Sequence, residues 1–285
     1  MRQQSIFIVQ TETTLLPFLL EHVKGISRNS VKNLLTRRQV MVEGQVITRH
    51  DHVLKPAMKV EVLAAGSRAP AFPILYEDDD IIVIDKPAGL LTVATEKEKN
   101  KTAYRMVGDY LKGKGRKVFI IHRLDKDTSG VLMFAKSEAA KRAYQDNWDK
   151  LVKQRTYLAL VEGTPKESEG TVHSYLKETD THLVYSVEFP GGNAKEAITH
   201  YRLLSRKGEL SLLEVELETG RKNQIRVHMK DLGHPVTGDK KYGAKRSDLG
   251  RLGLHAHILR ATNPLTKKEM TFTAPAPKHF RAPGR

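Results

Sequence analysis

The chain has 285 residues, 39% of them apolar, with 48 Lys and Arg against 33 Asp and Glu and a formal net charge of +15. That length allows two domains, and the apolar share is enough to fill a core. Cysteine is absent, which excludes disulfides and thiolate metal sites, and the excess charge favours a polyanionic partner, because Lys and Arg that neutralise phosphates release condensed counterions.

Residues 1–65 read as a compact unit. Its opening has no basic segment followed by a long apolar core, and apolar runs such as residues 81–84 are too short to cross a bilayer. A cytoplasmic protein with no membrane association is therefore expected. Leu15, Leu16, Leu19, Leu20 and Val23 recur at helical spacing, with Pro17 in the first turn. Ser27 is placed to cap a second helix whose buried stripe is Val31, Leu34 and Leu35. Arg28 and Lys32 lie one turn apart beside that stripe and Arg37 and Arg38 follow it, giving a basic edge suited to nucleic acid. Val40 and Val42 lead into Glu43-Gly44 and Val46 resumes, which is hairpin chemistry, and a strand over residues 59–63 closes the unit.

Residues 66–73, in an Ala-, Gly- and Pro-rich stretch, read as a linker to a second domain over residues 74–285. Acidic residues 77–80 precede a strand over residues 81–84. Thr102 caps a helix carrying Met106, Val107, Tyr110 and Leu111, and residues 113–117 form a basic loop. Ser137 caps a helix over residues 138–150. Leu210 and Leu212, then Val215 and Leu217, predict a long strand with a bulge where the alternation changes phase. A helix over residues 224–232 has Ile225, Met229 and Leu232 as its buried stripe, with Arg226 projecting to the side.

The stretch that can carry chemistry is His122-Arg-Leu-Asp-Lys-Asp-Thr-Ser-Gly130, set between apolar strands at residues 118–121 and 131–135. A loop held by two buried strands keeps its side chains fixed while they reach solvent. Asp125 has His122, Arg123 and Lys126 around it, and Thr128, Ser129 and Gly130 offer a tight turn to orient it. On local composition alone, an ordinary polar turn with a solvated Asp fits equally well.

The nine-residue stretch resembles the catalytic signature of the RluA-type pseudouridine synthases, and the likeness continues in order along the chain. Ile74-Leu-Tyr-Glu-Asp and Asp85-Lys-Pro-Ala-Gly-Leu-Leu91 are similar to that family's opening segments. Gln154-Arg-Thr-Tyr-Leu-Ala-Leu-Val161 resembles its tyrosine motif, and Thr219-Gly-Arg-Lys-Asn-Gln-Ile-Arg-Val-His228 its basic motif. Gly233-His-Pro-Val-Thr-Gly-Asp239 with Tyr242-Gly243, then Leu254-His-Ala and Ala274-Pro-Ala-Pro277, resemble its later segments. Residues 1–65 separately resemble the RNA-binding module named after ribosomal protein S-four, through Ser27-Arg28, the basic helix and Val40-Met-Val-Glu-Gly44; Gln39 stands where that module usually has Gly.

These resemblances imply an α+β chain: a small α+β RNA-binding domain before a catalytic domain on a mixed, mainly antiparallel sheet. They imply an enzyme that isomerises uridine to pseudouridine in RNA without metal or small-molecule cofactor, since the reaction exchanges no electrons and imports no group; a monomer is expected, though no residue of the sequence fixes the oligomeric state. Large-subunit ribosomal RNA is the favoured substrate, with transfer RNA the alternative. Asp125 takes the essential role, whether it acts on the sugar, attacks the base or removes a proton. Tyr157 corresponds to the residue that stacks on the target base, and Arg226 to the partner that keeps the carboxylate ionised. Arg123 corresponds to the arginine that enters the stack as the base leaves. His122 and Leu124 beside it, Arg221, and the N-terminal Arg28, Lys32, Arg37 and Arg38 complete the expected RNA contacts. Asn223 departs from the family's usual His, and its side chain is read as a helix N-cap. His228, His234, His255 and His257 are read as packing or RNA-facing residues. A non-catalytic RNA binder would not need Asp125, Tyr157 and Arg226 together, and a nucleosidase would need two carboxylates at a sugar-sized pocket.

Overall fold

The computed structural model describes residues 5–64, 72–112, 114–247 and 249–280. Of the expected linker only Phe72 and Pro73 fall among them, and Gly113 of the basic loop lies outside them. The chain divides into two compact units, one of Met1–Asp85, Thr92–His122 and Met133–Lys141, the other of Lys86–Leu91, Arg123–Leu132 and Arg142–Arg285. No helix among the described residues is long and apolar enough to cross a membrane.

The first unit opens with β1 (Ser5–Ile8), β2 (Thr13–Thr14), α1 (Leu15–His22), α2 (Arg28–Thr36), β3 (Val40–Val42), β4 (Gln45–Val46), β5 (Val53–Leu54) and β6 (Lys59–Val62). Four of these strands form a sheet in the order β1-β6-β3-β4. Leu15, Leu19, Val31, Leu35, Val40 and Val60 fill its core. Ser27 caps α2 as expected, its Oγ accepting the Ser30 N–H at 3.1 Å. Glu43 at φ 49° and Gly44 at φ 73° close the β3–β4 hairpin with the paired left-handed residues that match strand twist. The turn out of α2 accommodates Gln39 without glycine because the left-handed residue is Arg38, at φ 59°. Gln39 is buried, and its Nε2 donates to the Ala64 carbonyl at 3.1 Å.

The chain continues with β7 (Ile74–Glu77) antiparallel to β8 (Ile81–Lys86), then α3 (Ala103–Lys112), β9 (Phe119–Ile120), β10 (Ser129–Ala135) and α4 (Glu138–Asp146), of which β10 only from Met133 and α4 only up to Lys141 belong to the first unit. The Thr102 and Ser137 hydroxyls accept from Arg105 and Ala140 N–H groups, capping the two helices. Two expectations are corrected here. The strand before the signature is only β9, and the helix after Ser137 ends at Asp146 instead of running to 150. Asn147, at φ −129°, breaks it, and a separate turn, α5 (Trp148–Leu151), follows.

The second unit is built on β11 (Val152–Glu162), β12 (Glu169–Glu178), β13 (Val184–Val187), β14 (Lys195–Lys207) and β15 (Leu210–Leu217), followed by α6 (Gln224–Asp231), β16 (Leu254–Thr262) and β17 (Glu269–Thr273). Its strand order is β13-β12-β14-β15-β11-β16-β10, with β17 on β16 and the first residues of β10 as the outer strand. All its registered pairs are antiparallel except β10 with β16, which gives the mixed, mainly antiparallel α+β sheet that was expected. The expected bulge in β15 is instead in its neighbour, where the register shifts between Leu203 and Ser205 of β14. The apolar pattern of β15 changes phase because the strand is covered on both sides: Leu213 and Val215 join the cluster under α6, and Leu212 joins one with Phe280.

Candidate active site

Asp125 is held by what surrounds its loop. Ser129 and Gly130, expected in a turn, are already in β10, in parallel register with His255 and Ala256. Gly130 sits at φ 110°, and a Cβ built there would lie 2.0 Å from the Ala256 carbonyl oxygen. Glycine lets the two backbones approach at the point where the chain leaves the loop. Beside it the Ser129 hydroxyl accepts from Arg251 Nη2 at 2.7 Å and contacts His255 Nδ1 at 2.8 Å. Burial pushes the His255 imidazole down to about 4, so the ring is neutral at pH 7; with Nε2 donating to the Ala274 carbonyl at 3.3 Å, Nδ1 accepts the serine hydroxyl's hydrogen bond.

On the other side of the loop, Lys86 is fully buried and its ammonium donates to the Pro87, Leu90 and Lys126 carbonyls at 3.0, 2.7 and 2.9 Å. The Gly89 N–H also donates to the Lys126 carbonyl at 2.9 Å. Lys86 thus ties the loop, one residue after Asp125, to the turn that follows β8. Lys86→Met should lower stability by about 3 kcal/mol, because buried carbonyls lose their donor, and a denaturant titration would read it.

Tyr157 is placed by β11, the central strand between β15 and β16. The β11–β16 register slips between Thr156 and Tyr157, which pair with Ile258 and Ala256 and leave His257 as the extra residue. Tyr157 shares its face of the sheet with Ala159, Val161 and Val215, against Ile225 and Met229 of α6. Burial, opposed by Arg155 and assisted by the Asp125 charge, pushes the phenol up to about 12. It therefore stays protonated at physiological pH.

The start of α6 is fixed by Gln224, whose Oε1 accepts from the Arg221 N–H at 2.9 Å and Thr219 Oγ1 at 2.8 Å. Asn223 does not cap the helix through its side chain, contrary to expectation. It adopts φ 56°, its Oδ1 accepts from Arg226 Nη1 at 2.9 Å, and its Nδ2 donates to the Tyr242 hydroxyl at 3.1 Å. Arg226 reaches Asp125 with Nη1 to Oδ2 at 3.7 Å, but its tight partner is Asp239, bidentate at 2.6 and 2.8 Å. Asp239 was read only as part of a loop motif. No local signal marks it, because its neighbours in sequence are mostly polar and its burial exists only in the folded chain.

Asp125, Tyr157, Arg226, Arg123, Leu124 and Arg221 line one open cleft of about 390 Å³. Arg123 and Arg221 are exposed, and Leu124 is buried and forms an apolar wall. Burial raises the Asp125 carboxyl above the ordinary carboxylate range, against the pull of Arg226, Arg123 and Lys222. His122 is not among the residues lining this cleft; its Nε2 accepts the Met133 N–H at 3.0 Å and so braces β10. Of the N-terminal basic residues, Arg28, Lys32 and Arg37 are exposed and Arg38 is half-buried. His228 is buried between Ser174 and Thr199, and His234 and His257 bond the carbonyls of Glu162 and Ala274.

Residues 80–231 match a family model described as RNA pseudouridylate synthase. Over 256 residues, 88% of this chain and 84% of the relative, the sequence is 33% identical to the uncharacterized RNA pseudouridine synthase YhcT of Bacillus subtilis. Over 282 residues, 92% of this chain and 85% of the relative, it is 36% identical to the uncharacterized RNA pseudouridine synthase slr1629 of Synechocystis. Among solved structures, the human RNA pseudouridylate synthase domain containing 4 protein superposes with a TM-score of 0.60 at 27% identity, over 73% of this chain and 89% of that one.

Proposed function

The chain belongs to the RNA pseudouridylate synthase family, and from that premise we propose that Asp125 is the carboxylate that acts on a uridine extruded from RNA into the Asp125–Tyr157–Arg226 cleft. The isomerisation breaks the bond from N1 to the sugar, turns the base and joins the sugar to C5. The C5 proton leaves and N1 gains one, so nothing is oxidised. The observation that carries the reading is that Asp125 is the sole acid among the described residues lining the cleft. Hydrolytic glycosidases work with two carboxylates across the sugar, which makes a nucleosidase the poorer fit.

Within this reading Tyr157, a neutral phenol on the sheet face under α6, packs against the flipped base and can donate but not accept its proton at pH 7. Arg226 orients Asp125 and stabilises charge that develops beside it. Arg123, exposed at the mouth, fills the gap the base leaves, its guanidinium stacking on neighbouring bases while touching phosphate. Arg123→Ala should leave the melting curve unchanged and weaken RNA binding roughly ten-fold. Unaltered turnover on native RNA would remove Arg123 from that role.

Residues 1–65 serve, on this proposal, as an S-four-like RNA-binding module that presents Arg28, Lys32 and Arg37 to phosphate, and large-subunit ribosomal RNA is the substrate. The exposure of those three cations and the net charge of +15 support it. Mapping pseudouridines in cellular RNA with and without the gene tests it: a site lost from large-subunit ribosomal RNA is expected, and a loss confined to transfer RNA would contradict it.

A further inference from the structure

Arg226 has a geometry that simple pairing with Asp125 does not explain. A guanidinium carries five N–H donors, and here the nearest carboxylate is Asp239, 2% exposed, which takes Nε at 2.6 Å and Nη2 at 2.8 Å in a fork. Asn223 Oδ1 takes Nη1 at 2.9 Å, and the Tyr242 ring lies under the guanidinium with its centroid 5.0 Å away. Tyr242 in turn accepts from Asn223 Nδ2 at 3.1 Å and donates its backbone N–H to the Asp239 carbonyl at 3.0 Å, so the three holders brace one another. Asp125 Oδ2 stands 3.7 Å off, beyond hydrogen-bond length.

We propose that Asp239 is a positioning residue which, as the permanent counter-ion of Arg226, holds the guanidinium short of Asp125 and leaves the catalytic carboxylate unneutralised and open to the nucleotide. The proposal rests on the reading of Asp125 as the acting acid. Its physical basis is competition for one cation. An arginine shared only with Asp125 would close onto it in a two-toothed ion pair, occupying both oxygens and damping their reactivity. With Asp239 in place the positive charge is already balanced, and the fork cannot turn toward Asp125 without breaking two short bonds inside a buried pocket.

The direction of the Asp125 shift agrees, since burial prevails over the nearby cations and the carboxyl is raised. The charged and titratable groups facing it are Arg123 from its own loop, Lys222 and Arg226 from the segment around the start of α6, and Tyr157 from β11. Arg221 lines the same cleft. Arg226 itself is disfavoured by burial, but the Asp239 bonds more than offset this and leave its pKa raised, so its charge persists throughout.

The test is a carbon-13 titration of the Asp125 carboxyl, its resonance identified by its loss in Asp125→Asn, alongside the pH profile of kcat/KM on substrate RNA. Asp239→Asn unbalances the guanidinium, so the Asp125 pKa should fall by roughly one unit or more, and the acid limb of the profile should move down with it. Asn223→Asp adds a negative charge at Nη1 and should move both upward. It carries the test alone if Asp239→Asn does not fold. An Asp125 pKa unmoved by the variant measured would overturn the clamp. A titration that moves while the acid limb stays still would uphold the clamp and sink Asp125 as the acting acid, so the two failures are distinct.

Discussion

Asp125→Asn should reduce pseudouridine formation by at least about four orders of magnitude while RNA affinity stays within about two-fold. Asparagine keeps the shape of the side chain and loses both the charge and the nucleophilic oxygen, which no neighbour replaces among the described residues lining the cleft. The fold should tolerate the change, because Arg226 retains Asp239 as its counter-ion and no orphaned cation is left. Stability should rise slightly at neutral pH. The folded carboxyl is raised by burial, so the native state binds more protons than the unfolded chain between the two pKa values. Wild-type stability then falls as pH rises through that window. The melting temperature of Asp125→Asn should exceed that of the wild type at pH 7.5, and the gap should close in acid below the unfolded-state value. A variant less stable than the wild type at pH 7.5 would mean that the acid contributes to the fold.

Gly130→Ala should be the most damaging single-methyl change in the second unit. The added Cβ would sit 2.0 Å from the Ala256 carbonyl oxygen and 2.8 Å from its nitrogen, both backbone atoms in a strand with little freedom. The backbone conformation, φ 110°, adds its own strain for any L side chain. A loss of about 4 kcal/mol or more is expected, with β10 pushed away from β16. Because Ser129 carries the bonds to Arg251 and His255 just before this point, the loop bearing Asp125 should loosen too. Denaturant unfolding and kcat together check this. A stability within about 1 kcal/mol of wild type would show that the parallel contact is dispensable.

Features written in local sequence were legible before any coordinates. Ser27, Thr102 and Ser137 cap their helices because a hydroxyl and the N–H three residues on are set by the chain itself. Glu43-Gly44 makes its hairpin for the same reason. The stripe of Ile225 and Met229, with Arg226 beside it, follows from helical period alone. The misreadings share another origin. The phase change in β15 looks like a bulge until both faces of the strand are known to be covered, which depends on Phe280 and α6. Ser129 and Gly130 look like a turn until β16, more than a hundred residues later in sequence, supplies the parallel partner. Asn223 is a good capping residue by type, but Tyr242 and Arg226 compete for its side chain and win. Asp239 and Lys86 escaped for a related reason: each is an ordinary charged residue in sequence whose burial and partners exist only in the folded chain.

RNA labelled with tritium at C5 of uridine measures the chemistry at the reacting atom, since the new bond from C5 to the sugar must expel that hydrogen. With this protein, tritium should appear in solvent one for one with pseudouridine in the RNA, and with Asp125→Asn none should appear above background. Release by Asp125→Asn at a rate near that of the wild type would contradict the assignment.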